Sequence, residues 1–144
     1  MIIYGLEEDI DHEVYNAALA VRRWVLREGD SEGMCYDASL ELSRRLQKNN
    51  IPCIMIEGCF RMGRNWCIRC THWWVGLGPW RKMILDVTAD QFNDDLQKYD
   101  LIRMKPIVYG HIDQFSGLYL PEHIGEDDKD IVVDTQTATF ERRK

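Results

Sequence analysis

Apolar residues recur at helical spacing over residues 11–28, with Val14, Ala17, Ala18, Val21, Trp24 and Val25 on one side. Arg22, Arg23 and Arg27 fall on the other side, and Gly29 ends the segment. Turn and capping residues crowd Gly29, Asp30, Ser31, Glu32 and Gly33, so a second helix is predicted to begin beside Cys35. Cys35, Ala38, Ser39, Leu42 and Leu46 line one face of it up to Gln47. Asn49 and Asn50 stop it, and Pro52 makes continuation unfavourable.

The pattern then changes period. Residues 51–60, IPCIMIEGCF, are almost continuously apolar, which suits a central strand covered on both faces, with helices on one of them. Residues 61–69 read as a polar, basic loop carrying Trp66. THWWVGLG and RKMILDVTAD read as two strands of an antiparallel hairpin turning at Gly78, Pro79 and Trp80. A three-residue turn there sets His72 opposite Asp86 and puts His72, Trp74, Ile84 and Asp86 on one face, because side chains alternate. Residues 91–101 read as a short helix or turn, 105–109 as a strand and 117–120 as an extended piece.

These elements predict an α+β fold, with N-terminal helices, one of them starting at Cys35, packed on an antiparallel β-sheet. The domain spans residues 1–124. Residues 125–144, with an acidic run (Glu126, Asp127, Asp128, Asp130), a strand-like IVV and a basic end, are expected to form an edge strand or a mobile tail.

A chain of 144 residues, 45% of them hydrophobic, is the size of one domain with a substantial core. Eighteen Lys and Arg against 24 Asp and Glu give a net charge of -6, which argues against nucleic acid or an anionic membrane as partner. The start, MIIYGLEEDIDHEVY, lacks the layout of a signal peptide, and no apolar run approaches membrane-spanning length, so a cytoplasmic location is expected. Five cysteines, an odd number without an export signal, point to reduced thiols or metal ligands and not to a disulfide framework.

Cys35 at a helix start, His72 opening one strand and Asp86 closing another are the residue types that an activated thiolate requires. Unpaired N–H groups and the helix dipole stabilise the thiolate, an imidazole takes its proton, and a carboxylate fixes the tautomer. Asp90 is the reserve carboxylate. Taken singly, each has a plainer reading: Cys35 as a small buried apolar residue, His72 as a core histidine, Asp86 as a turn former.

GMCYDASLELSRRL, THWWVGLG and ILDVTADQF, in that order, resemble the core of the papain-like and transglutaminase-like cysteine enzyme superfamily. The last segment looks most like small bacterial and phage members. The resemblance covers about residues 33–92 and implies Cys35 as nucleophile, His72 as general base and acid, and Asp86 as the orienting carboxylate. It implies a cysteine-dependent amide-bond enzyme (protease, isopeptidase, glutamine deamidase or transamidase) that works through a thioester and needs no cofactor. The small size and the lack of an obvious lid favour a protein side chain or a flexible peptide as substrate. Papain has a glutamine shortly before its cysteine, and residues 29–34 contain none. Backbone N–H groups, that of Cys35 among them, then serve as oxyanion donors, with an indole of Trp24, Trp73 or Trp74.

The rival reading starts from Cys67 and Cys70, which form CIRC just before His72 and, with Cys59 or Cys53, supply enough ligands for zinc. That would make a noncatalytic, zinc-stapled or Trp-rich protein-binding module. A single CxxC without a second well-spaced pair is a weak zinc signal, and CIRC precedes a strand and not the helix of a thioredoxin-like redox site, so reduced thiols without metal are expected. The tryptophans and arginines of residues 61–74 make too short a cluster for a nucleic-acid patch, and His111 and His123 read as surface residues.

Overall fold

The two amphipathic segments fold as α1 (His12–Arg27) and α2 (Cys35–Lys48). Asp11 caps α1, its carboxylate accepting from the N–H groups of Glu13 and Val14. Gly29 and Gly33, with φ of 132° and 76°, take the left-handed backbone that turns the chain from α1 into α2. This computed structural model describes residues 1–6, 9–29 and 31–124. Residues 125–144 and the side chain of His123, on which two expectations fell, lie outside that part.

The strands are β1 (Ile2–Leu6), β2 (Cys53–Met62), β3 (Ile68–Leu77), β4 (Met83–Asp86), β5 (Ile102–His111) and β6 (Tyr119–Ile124). They form one sheet in the order β1-β5-β4-β3-β2-β6. The expected antiparallel sheet is therefore mixed, since β1 pairs parallel to β5 while the remaining pairs are antiparallel. The helices are not N-terminal to the whole sheet either. β1 precedes them, and the chain from β1 to β5 supplies the long connection that parallel neighbours require.

β2 and β3 pair over ten positions, from Cys53 opposite Leu77 to Met62 opposite Ile68. The stretch expected as a loop at 61–69 is thus shorter: residues 61–62 and 68–69 belong to the strands, and 63–67 make the connection. Arg61 and Arg69 sit opposite each other on the ladder, and Arg61 stacks 4.8 Å over the Trp66 ring and donates to the Gly117 carbonyl at 3.1 Å, so its stem and charge are both used.

The β3–β4 hairpin departs from expectation in a way that spares its consequence. Val75 pairs with Leu85 and Leu77 with Met83, so the loop is five residues, 78–82, and not three. Trp80 and Arg81 both take the left-handed backbone there, at φ 60° and 58°. His72 and Asp86 are therefore diagonal and not opposite, but a two-residue shift of register keeps both on one face.

Both faces of the sheet are buried. Val75, Leu77, Leu85 and Ile107 pack with Val21, Val25, Leu42 and Leu46 of α1 and α2. Trp74, Ile84, Phe60 and Met104 pack on the other side with Phe92, Leu96, Phe115 and Tyr119, which come from the segment around α3 (Asn93–Tyr99) and from the chain entering β6. Among the described residues no helix is long and apolar enough to cross a membrane.

Candidate active site

Cys35 is the first residue of α2, after Met34, whose side chain makes no capping bond. The first helical hydrogen bond into Met34 O comes from Ala38 N, so the N–H groups of Cys35, Tyr36 and Asp37 have no partner within the helix. The thiol therefore sits in a field that favours negative charge.

That helix end meets β3 where β4 stops. The pairing of β3 with β4 ends at Val75 and Leu85, leaving Trp73 without a partner on that side. The Trp73 backbone N–H donates to the Cys35 sulfur instead. His72, one residue before, points to the opposite face and is fully buried.

There the imidazole is enclosed by rings. Phe92 stands edge-on at 5.0 Å and Phe60 at 5.7 Å, with Trp74 and Tyr119 tilted at 6.0 and 6.3 Å. Its Nε2 lies 2.6 Å from Asp86 Oδ2. With Nε2 so held, Nδ1 is the nitrogen left to exchange a proton with sulfur. Nδ1 is buried and makes no fully formed hydrogen bond, although the Cys35 thiol acts on His72 both through hydrogen bonding and through charge. Loose alignment of this kind is common before substrate binds.

Asp86 is 2% exposed and accepts on both oxygens. Oδ2 takes His72 and the Tyr119 hydroxyl, the latter at 2.8 Å, while Oδ1 takes the Thr88 N–H at 2.9 Å and the Thr88 hydroxyl at 3.3 Å. Four donors fill the acceptor sites of a carboxylate and fix its plane.

These contacts set the charges. Burial pushes the Asp86 carboxyl up, but the His72 charge and the donors from His72, Thr88 and Tyr119 outweigh it and hold it below its usual value. Burial pushes His72 down, and the Asp86 charge and hydrogen bond, with smaller help from Cys35, reverse that and raise it to about 9. Burial raises the Cys35 thiol, yet its hydrogen bond with His72, the His72 charge and the Trp73 N–H bring it below its ordinary value. Cys35 and His72 thus favour a thiolate beside an imidazolium. Cys53 goes the other way, pushed up to about 12 by burial.

Asp90, the reserve carboxylate, is elsewhere: it receives both terminal nitrogens of Arg22, at 2.8 and 2.6 Å. Of the three indoles expected near the oxyanion, Trp74 is wholly buried with an unpartnered Nε1, and Trp24 packs against the helix-side core. Trp73 is the one at the thiol, its ring edge-on to Tyr36 at 5.0 Å and 85°. Cys67 and Cys70 are exposed and half-buried, and the described residues hold no group of three or more His, Cys, Asp or Glu placed to bind a metal ion. His111 serves as a cap, its Nδ1 accepting from the Asp113 N–H. Reading the sequence missed Thr88 and Tyr119. A tyrosine in the apolar run GLYL was the available signal, because a buried phenol needs a hydrogen-bond partner.

The chain matches no protein-family model, no curated protein and no solved structure.

Proposed function

We propose that this protein is a cysteine-dependent amide-bond enzyme with Cys35 as nucleophile, His72 as general acid and base, and Asp86 as the carboxylate behind the imidazole. The papain-like and transglutaminase-like core that its motifs resemble is part of this proposal. One observation carries it: a depressed thiol at a helix N-terminus is coupled to a raised, buried imidazole that is itself held by a four-donor carboxylate. Perturbed groups in such a connected set are characteristic of reactive sites.

In the proposed reaction the Cys35 thiolate attacks a carboxamide or peptide carbonyl and the oxyanion forms beside the α2 N-terminus. His72 Nδ1–H gives its proton to the leaving amine as the C–N bond breaks, leaving a thioester and a neutral imidazole. Water or an amine then adds to the thioester, His72 taking its proton, and the sulfur departs as thiolate. With water the outcome is hydrolysis or deamidation, with an amine transamidation. Exposed Tyr36 and half-buried Trp73 give the thiol an aromatic border, which supports a protein or peptide substrate over a small ion.

The test is the pH dependence of alkylation by iodoacetamide, followed cysteine by cysteine with mass spectrometry. Cys35 is expected to react fastest, at a pH where a free thiol is still largely protonated, and Cys35→Ala to remove that phase while leaving the circular dichroism unchanged. Slow, equal reaction of all the cysteines would overturn the proposal.

A further inference from the structure

We propose that Tyr119 is a positioning residue for His72: by donating to the Asp86 oxygen that also binds the imidazole, its hydroxyl fixes the carboxylate plane and sets the pH at which His72 loses its proton. This rests on the Cys35–His72–Asp86 reading above and adds a fourth member to it.

The geometry points away from a merely structural bond. Tyr119 is 3% exposed, and its hydroxyl reaches from β6, an outer strand of the sheet, to a carboxylate on β4. It selects Oδ2, where it competes with His72 Nε2 for the same electron density. The titratable groups facing His72 are Cys35 from α2 and Asp86 from β4, and Tyr119 joins them through Asp86. β2 and the segment before α3 contribute the uncharged rings of Phe60 and Phe92. Among the described residues Tyr119 is thus the one further donor, apart from Thr88 on Oδ1, that tunes how strongly Asp86 attracts the imidazole proton. Burial and the Asp86 charge hold the phenol neutral well above its usual range, so it donates throughout the working pH of a thiol enzyme.

The sign follows. Removing the hydroxyl concentrates the Asp86 charge on His72, so the imidazolium holds its proton to higher pH. In Tyr119→Phe the His72 titration, followed by NMR of ¹³Cε1-labelled histidine and assigned by its loss in His72→Gln, should move upward by about half a unit to one unit, as expected when a charged group loses one of its donors. An unchanged or lowered midpoint, even with a lower melting temperature, would reduce the bond to a structural pin and overturn the inference. If Tyr119→Phe does not fold, uniform 3-fluorotyrosine keeps the hydroxyl, makes it a stronger donor and should move the midpoint down; no movement again overturns it. Fast alkylation of Cys35 in the unmodified protein separates the two proposals. Its absence defeats the enzyme reading, whereas its presence with an unmoved His72 defeats only the role of Tyr119.

Discussion

Arg22 and Asp90 meet as a two-pronged ion pair, at 2.8 and 2.6 Å, in which the same guanidinium also donates to the Val87 carbonyl at 2.7 Å. Arg22 is 8% exposed although it lies among the arginines of the polar stripe of α1. The contact ties α1 to the chain just after Asp86, and so fixes the exit of the strand that carries the carboxylate. Arg22→Ala leaves Asp90 without its cation and Val87 O without its donor. It should cost about 3 kcal/mol in urea unfolding, as for breaking a largely buried pair from one side. Arg22→Lys should recover only part of this, since a point charge cannot reproduce the fork. A loss within experimental error of zero for Arg22→Ala would refute this role.

Asp86→Asn tests the carboxylate itself. Without its charge, burial governs His72, whose proton affinity should fall from about 9 to below its ordinary 6.5. The imidazolium that stabilises the Cys35 thiolate is then lost at neutral pH. Alkylation of Cys35 at pH 7 should slow by about 10²-fold or more, the size of a general acid–base contribution, with circular dichroism retained. An unchanged rate would show that Asp86 does not act through His72.

What the sequence disclosed and what it hid divide along distance in the chain. The start of α2 at Cys35 follows from local turn and capping chemistry, and the shared face of His72 and Asp86 follows from alternation, which survives an error of two in register. The five-residue loop was hidden because Trp80 and Arg81 adopt a left-handed backbone that neither residue type advertises. β1 was hidden because its partner, β5, lies a hundred positions on: Ile2 pairs with Ile102. Arg22 and Tyr119 were misread or missed for the same reason, since Asp90 and Asp86 make them interior residues from remote segments. Helical periodicity sorts residues by hydrophobicity, and it has no means of recognising a charge that finds its counter-charge across the core.

The coupled charges also predict how stability depends on pH. His72 titrates at about 9 in the fold against an ordinary 6.5, so its contribution is complete below about pH 6.5 and is lost as pH rises towards 9. Cys35 runs the opposite way: its depressed thiol contributes at high pH and loses that contribution on acidification. The two partly offset each other in the unmodified chain. Cys35→Ala removes one, and its unfolding free energy should decline from about pH 6.5 through a window closing at or somewhat below 9, now that Cys35 no longer raises His72. Adding Asp86→Asn should flatten that decline. Below the ordinary carboxyl value of 3.8 stability should fall as Asp86 protonates. Denaturant titrations across this range check each limb, and an alkaline decline that persists in the double variant would assign it to other groups.

Gly58 is the position at which the strands around the site most need an absent side chain. It pairs with His72 on one side and Pro121 on the other, in the middle of β2. A Cβ there would meet the Leu120 carbonyl oxygen of β6 and stand 2.5 Å from the Trp74 ring, two obstacles of which the backbone has least freedom to retreat. Gly58→Ala should therefore cost about 1–3 kcal/mol as overpacking. Its second effect is more specific, because clearing the Leu120 oxygen requires β6 to move away from β2, and β6 carries the Tyr119 hydroxyl that completes the Asp86 shell. The variant is expected to lose stability and to shift the His72 titration upward together, as Tyr119→Phe does without touching the ladder. Loss of stability with an unmoved titration would mean that β6 stays in place and the Trp74 ring gives way instead.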